Sequence, residues 1–75
     1  MDKQEFIEKF AEALFAEESS LSISTVFRTL DEWSSVSYLS VIAMLDEEYD
    51  IQIENCDFKN LITIGDIISY IESHQ

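Results

Sequence analysis

Few side chains in this sequence are equipped for covalent chemistry. The single histidine, His74, lies one residue from the end of the chain, where fraying exposes it to solvent. Apart from this terminal residue the chain has no imidazole, so neither a Ser–His nor a Cys–His pair is available to activate a nucleophile. Cys56 lacks a CxxC partner and is interpreted as a half-buried structural thiol, and Gly65, the only glycine, excludes a glycine-rich phosphate loop. The sequence therefore predicts a protein that is not an enzyme.

An acidic run after residue 45 has some features of a calcium loop. Asp46, Glu48 and Asp50 stand at alternating positions, as oxygen ligands do in an EF-hand. That loop also requires glycine at its sixth position and a bidentate glutamate at its twelfth, where this chain has Ile51 and Asp57. We therefore expect no dedicated metal site, although the acids can attract cations loosely.

Net charge narrows the choice of partners. Sixteen acids and four bases give the 75 residues a formal charge of −12, which disfavours binding to nucleic acid and to anionic membranes. No apolar run is long enough to span a bilayer, and the first residues lack the basic and apolar regions of a signal peptide. The sequence predicts a cytoplasmic monomer that meets basic surfaces on other proteins.

Apolar spacing predicts the elements that position these residues. Phe6, Phe10 and Leu14 repeat at helical spacing, so a first helix is expected from about Lys3 to Ala16 with Asp2 as its cap. The serine-rich stretch that follows, residues 17–34, shows no clean period and predicts a long ordered loop. Its apolar residues would pin it to a core: Leu21, Ile23, Val26, Phe27 and Leu30.

The second half of the chain predicts two more long helices and one short helix. A helix capped by Ser34 or Ser35 runs to about Tyr49, and a single turn is expected over residues 55–60 after a short extended piece at residues 51–53. Thr63 and Asp66 resemble a capping box at the start of the last helix. The predicted fold is all-α: one domain, residues 1–75, forming a small four-helix bundle with three main helices, one short helix and a long first loop.

The most specific pattern joins the loop to the second helix, in Leu30-Asp31-Glu32-Trp33-Ser34-Ser35-Val36. From here onward the chain resembles the acyl carrier protein family, whose second helix begins with an Asp-Ser-Leu motif that in one branch follows Glu-Trp. The likeness covers essentially the whole chain, although the first helix and loop match only in pattern. Later matching pieces are Val41-Ile42-Ala43-Met44-Leu45-Asp46-Glu47-Glu48-Tyr49, Ile51-Gln52-Ile53 and Thr63-Ile64-Gly65-Asp66.

The resemblance implies a function for Ser35. It matches the serine that receives 4′-phosphopantetheine from coenzyme A through a phosphopantetheinyl transferase. The arm carries acyl intermediates as thioesters to acyl-transferring and condensing enzymes with basic surfaces, in fatty-acid, polyketide or related biosynthesis. The resemblance also implies a partner-recognition set, Ser34, Val36, Ser37, Ser40, Asp46 and Glu47, and an acyl-chain pocket, Leu39, Ile42, Ile53 and Leu61.

The chain departs from the family pattern next to that serine. Ser34 replaces the aspartate of the motif, Val36 replaces the leucine, and Ser37 and Ser40 stand where the family has exposed acids. An alternative therefore stays open, in which an unmodified carrier-like domain binds basic partners through its acidic helix. In that case Ser34 and Ser35 serve only as helix caps, a role that serine favours.

Overall fold

The computed structural model describes residues 2–74 and contains four α-helices. They are α1 (Lys3–Leu14), α2 (Ser35–Tyr49), α3 (Asn55–Phe58) and α4 (Ile64–Ser73), with 3₁₀ turns at Glu18–Ser20 and Phe27–Thr29 inside the long first loop. No strand forms within these residues, where β pairing is confined to one isolated bridge. The all-α, four-helix prediction is confirmed, with three long helices and one short helix in the expected order.

Helix α1 begins where its cap predicts and ends two residues early. The Glu5 N–H donates to the Asp2 carboxylate at 3.1 Å, and the predicted apolar face is buried. The prediction that α1 ends near Ala16 is wrong. Phe15 adopts a left-handed conformation with φ of 58°, and its N–H donates to the Ala11 and Glu12 carbonyls, which ends the helix at Leu14. Phe15 is 88% exposed, so burial of its side chain does not offset the steric cost of the left-handed conformation.

The long first loop is ordered, but only part of its apolar content enters the core. Leu21 and Phe27 are buried, whereas the side chains of Ile23 and Val26 are exposed. The loop docks on the start of α4 through its backbone: the Gly65 N–H donates to the Ile23 carbonyl at 2.8 Å. Gly65 is required there, because a Cβ would lie 2.9 Å from that carbonyl oxygen. The prediction that Ile23 and Val26 anchor the loop by burying their side chains is therefore wrong. Here the loop is held by backbone hydrogen bonds to the start of α4.

The second half of the bundle follows its predicted caps closely. Asp50 ends α2 in a left-handed conformation with φ of 54°, and residues 51–54 form an irregular connection in which Ile51 and Ile53 are buried. The Thr63–Asp66 capping box opens α4, and the Thr63 and Ile62 N–H groups that donate to the Asp66 carboxylate lower its pKa. The inner face of α4 is buried as predicted: Ile64, Ile67, Ile68 and Ile71.

Candidate functional site

Ser35 is the first residue of α2 and is exposed to solvent. Ser34 precedes it as the N-cap, and its Oγ accepts a hydrogen bond from the Ser37 N–H at 3.2 Å. This contact supplies the capping function that the family's aspartate could also perform, without the negative charge. At the first helical position, the Ser35 hydroxyl therefore projects from a fixed helix start whose first amides have no partner within the helix.

A cleft of about 390 Å³ adjoins Ser35 between the start of α2 and α3. Trp33, Tyr38 and Phe58 supply aromatic surface to it, and the Tyr38 and Phe58 rings meet edge to face at 5.1 Å between centroids. The Tyr38 hydroxyl donates to Asn55 Oδ1 at 3.3 Å, which links α2 to α3 across the cleft. The cleft thus has an aromatic wall and a polar rim directly beside the exposed serine.

Two basic residues line the same cleft. Arg28 and Lys59 are among its lining residues, although the whole chain contains only four lysines and arginines. The Arg28 guanidinium donates to the Phe58 carbonyl at 2.6 Å and to the Leu61 carbonyl, and it lies over the Phe58 ring. Half of the chain's basic residues therefore line the same cleft as Ser35, which makes this cleft suited to an anion on an otherwise acidic protein.

The predicted partner-recognition residues divide into outward and inward groups. Val36 is 65% exposed, and Asp46 and Glu47 are also exposed. Ser37 is only 5% exposed and its hydroxyl donates to the Glu32 carbonyl at 2.7 Å, which differs from the exposed position expected for it. Ser40 is half-buried. Ser37 therefore holds the loop against the start of α2 and presents no side chain to a partner.

The acidic end of α2 contains one paired and one unpaired glutamate. Glu48 lies 3.6 Å from Lys9 Nζ, which also forms an ion pair with Glu5 at 2.9 Å and has its pKa raised chiefly by the Glu5 hydrogen bond. The Glu47 carboxylate forms no ion pair with any residue from 2 to 74. Lys9 therefore partly neutralises the charge of Glu48, whereas the charge of Glu47 is not offset by an ion pair within residues 2–74.

The four residues predicted for an acyl-chain pocket lie in different surroundings. Ile53 is buried, Ile42 and Leu61 are half-buried against the core, and Leu39 is 63% exposed on the outer face of α2. The cleft beside Ser35 has none of them in its lining. The acyl-chain pocket stays a prediction, and the open space beside Ser35 is bounded by other side chains.

Of the two reactive side chains, Cys56 differs from the sequence prediction and His74 agrees with it. Cys56 is exposed, so the half-buried structural thiol is wrong: α3 is a single turn, and this position faces away from the core. His74 is exposed as expected, but its ring stacks on Tyr70 at 4.0 Å between centroids, and its Nδ1 lies 2.8 Å from the Tyr70 carbonyl oxygen. Neither residue adjoins Ser35 in the cleft lining.

Outside this cleft, residues 2–74 contain a larger cavity, but no metal-binding cluster and no helix that could cross a membrane. A larger open depression of about 1030 Å³ along α1 has five carboxylates in its lining and includes no residue of α2. Within residues 2–74, no cluster of three or more His, Cys, Asp or Glu side chains is arranged to hold a metal ion. None of the helices in this range has the length and apolar character that a bilayer crossing requires.

Sequence reasoning missed the residues that surround the serine. Arg28, Asn55 and Lys59 were not expected at the site, yet all three line the cleft. Arg28 and Lys59 lie 31 residues apart in the chain, so no local motif joins them. The available signal was the scarcity of bases, since each of only four basic residues in a chain of −12 deserves an explanation.

Three known proteins that are similar to this chain share one name. The chain is 32% identical over 66 residues to a protein of Exiguobacterium sibiricum named acyl carrier protein, and the alignment covers 88% of this chain and 84% of that protein. It is 34% identical over 65 residues to a protein of the same name from Streptococcus thermophilus, with 87% and 84% covered. No family model matches the sequence.

Proposed function

The chain belongs to the acyl carrier protein family, and on that premise we propose that Ser35 is the attachment point of 4′-phosphopantetheine. The observation that carries this proposal is the exposed Ser35 hydroxyl at the start of α2, beside a cleft that contains two of the chain's four basic residues. When bound, the group supplies a thiol on a long arm, which holds acyl groups as thioesters.

The side chains around Ser35 fit a phosphodiester. Helix geometry leaves the first amides of α2 without intrahelical partners, and the positive end of the helix dipole favours an anion there. Arg28 and Lys59 add positive charge beside the serine. Arg28 keeps its position through its bonds to the Phe58 and Leu61 carbonyls, so its charge is held in place before any ligand arrives.

The attachment reaction is assigned to a transferase, because the lining of the cleft contains no histidine or carboxylate that could take the proton of the Ser35 hydroxyl. Only one histidine is present, and it does not line the cleft. The Ser35 oxygen forms a bond to phosphorus as the diphosphate bridge of coenzyme A breaks, its proton passes to a base of the transferase, and adenosine bisphosphate leaves. Acyl transfer and condensation likewise belong to partner enzymes.

Partners of this carrier meet the outer face of α2. Val36 and Leu39 are exposed apolar residues at one end of this face, and Asp46 and Glu47 are exposed acids at the other. An apolar contact flanked by acids suits an enzyme with a basic rim, since complementary charge speeds encounter. The partners proposed are a phosphopantetheinyl transferase and the acyl-transferring and condensing enzymes of fatty-acid, polyketide or related biosynthesis.

One observation favours a second candidate function. The motif aspartate is Ser34, so the start of α2 lacks the charge that a modifying enzyme of this family ordinarily meets. If no transferase accepts this end of the helix, the chain acts as an unmodified module that binds basic partners through Asp46 and Glu47. The retained Ser34 cap leaves the helix start intact in either case.

Intact mass measurement tests the proposal directly. The purified protein is incubated with coenzyme A, magnesium and phosphopantetheinyl transferases of several types. We expect a gain of one phosphopantetheinyl group in the wild type and in Ser34→Ala, and none in Ser35→Ala. A gain that persists in Ser35→Ala contradicts the assignment, and a wild type that no transferase modifies favours the interaction module.

A further inference from the structure

We propose that Tyr38 is a positioning residue, which keeps the attached acyl group out of the helical core, so that acyl chains stay outside the core, in the cleft beside Ser35 or in water. This inference rests on the proposed function of Ser35. It assigns to Tyr38 a role in placing the acyl group, in addition to its packing against the core.

Tyr38 closes the seam between α2 and α3 with two contacts. Its ring meets Phe58 edge to face at 5.1 Å, and its hydroxyl donates to Asn55 Oδ1 at 3.3 Å. Tyr38 lies one turn after Ser35 on the cleft side of α2, so both side chains border the same opening. An acyl chain that moved from Ser35 into the core through this seam would have to break the Tyr38–Asn55 bond and part these rings.

The side chain behind Tyr38 is also fixed. Phe58 is 2% exposed and packs against Phe27 and Trp33, with ring centroids 5.5 and 6.1 Å away. Arg28 donates to the Phe58 carbonyl at 2.6 Å and lies over its ring. Close-packed interiors resist added volume, so a long chain finds no space behind Phe58 unless these aromatic contacts are lost.

The space outside this barrier is small. The cleft has a volume of about 390 Å³, near the lower end of the range of 300–1,000 Å³ typical of ligand pockets. An arm attached to Ser35 would occupy part of that volume. The remaining aromatic surface of Trp33 and Tyr38 suits a short acyl group, whereas a longer chain would extend into water.

Chain-length dependence of thioester stability tests the inference. A broad-specificity transferase loads the protein with butyryl- or decanoyl-phosphopantetheine from the corresponding acyl-coenzyme A. Loading is verified by intact mass, and release of the acyl group by hydroxylamine is timed. We expect equal release rates for the two cargoes in the wild type. Burial of only two methylene groups would slow release about tenfold, so a decanoyl chain that enters the core is readily detected.

Three variants locate the barrier. In Tyr38→Ala, release of decanoyl should slow about tenfold relative to butyryl, because the chain gains access to the core. Tyr38→Leu keeps an apolar cover on Phe58 and serves if the alanine variant folds poorly; it should show the same direction. Tyr38→Phe keeps the ring contact with Phe58 and removes only the hydrogen bond to Asn55, so its release of decanoyl should slow less than that of Tyr38→Ala. Tenfold protection of decanoyl in the wild type, or none in either opened variant, overturns the proposal.

A second route separates this inference from the proposed function. If no transferase loads Ser35, that function fails at the mass measurement, and the barrier is tested with alkyl groups attached chemically to Ser35→Cys. Because Cys56 is exposed and would also react, Cys56→Ser is included. Methyl and decyl methanethiosulfonate should give the same melting temperature and Trp33 emission, whereas Tyr38→Ala in this background should melt higher with decyl. If the protein that retains Tyr38 melts at a higher temperature with decyl than with methyl, the proposed barrier is contradicted.

Discussion

The two ends of α2 differ in how their polar groups are satisfied. At the first end the Ser34 hydroxyl caps the helix, Ser37 is buried with its hydroxyl on the Glu32 carbonyl, and Arg28 adds positive charge nearby. At the last end Asp46 and Glu47 place negative charge against the negative end of the helix dipole. The first end is fixed by hydrogen bonds, whereas the second keeps unfavourable charge exposed, as a surface retained for binding would.

Among the variants that test this difference between the two ends, Arg28→Ala is expected to change stability the most. This change removes the bonds to the Phe58 and Leu61 carbonyls and should lower the free energy of unfolding by about 2 kcal/mol. Urea denaturation measures the loss. Arg28→Lys is the control and should recover less than half of it, because an ammonium cannot donate as a planar fork. A loss below about 0.5 kcal/mol would place Arg28 among ordinary surface residues.

Asp50→Gly should stabilise the opposite end by about 0.5–1 kcal/mol, since glycine adopts the left-handed conformation without steric cost. Thermal melting reports the change. Asp50→Asn removes only the charge and separates the electrostatic share. Phe15 has a φ of 58° and carries no charge, so Phe15→Gly measures the stability gained from the left-handed conformation alone, at the end of α1. Equal gains from Asp50→Gly and Asp50→Asn would attribute the whole effect to charge.

Ser34→Asp should accelerate modification of Ser35 about threefold at low salt by a transferase with a basic docking surface, because one added rim charge mainly raises the association rate. The initial rate of phosphopantetheinyl transfer is measured over a salt series, and the gain should fade as screening increases. Ser34→Asn provides a neutral cap as the control. A gain that is independent of salt, or shared by Ser34→Asn, contradicts the electrostatic explanation.

The smallest effect separates two adjacent glutamates. Glu47→Gln should raise stability by about 0.3 kcal/mol at low salt, because it removes an unpaired charge near the negative end of the helix. Glu48→Gln should not raise stability, since this variant loses the ion pair between Glu48 and Lys9. Melting temperatures at low and high salt compare the two variants. Equal gains at low salt would mean that the Lys9 contact contributes nothing.

Helix positions and caps could be predicted because their signals are local. Asp2, Ser34 and the Thr63–Asp66 box each bond within three or four residues, so spacing alone places them. The end of α1 was misplaced because Phe15 is a poor left-handed residue by type, and sequence offers no reason to stop there. The exposed Cys56 was missed because a single-turn helix has too few residues to show a periodic face.

The sequence by itself determined the four helices, the buried faces of α1 and α4 and the serine at the start of α2, because helical periodicity and capping act over a few residues. Only the tertiary structure decided what surrounds that serine. Arg28 reaches carbonyls 30 and 33 residues away, and Tyr38 bonds to Asn55 17 residues away. Such contacts depend on how the helices and the loop pack against one another, which no local pattern specifies.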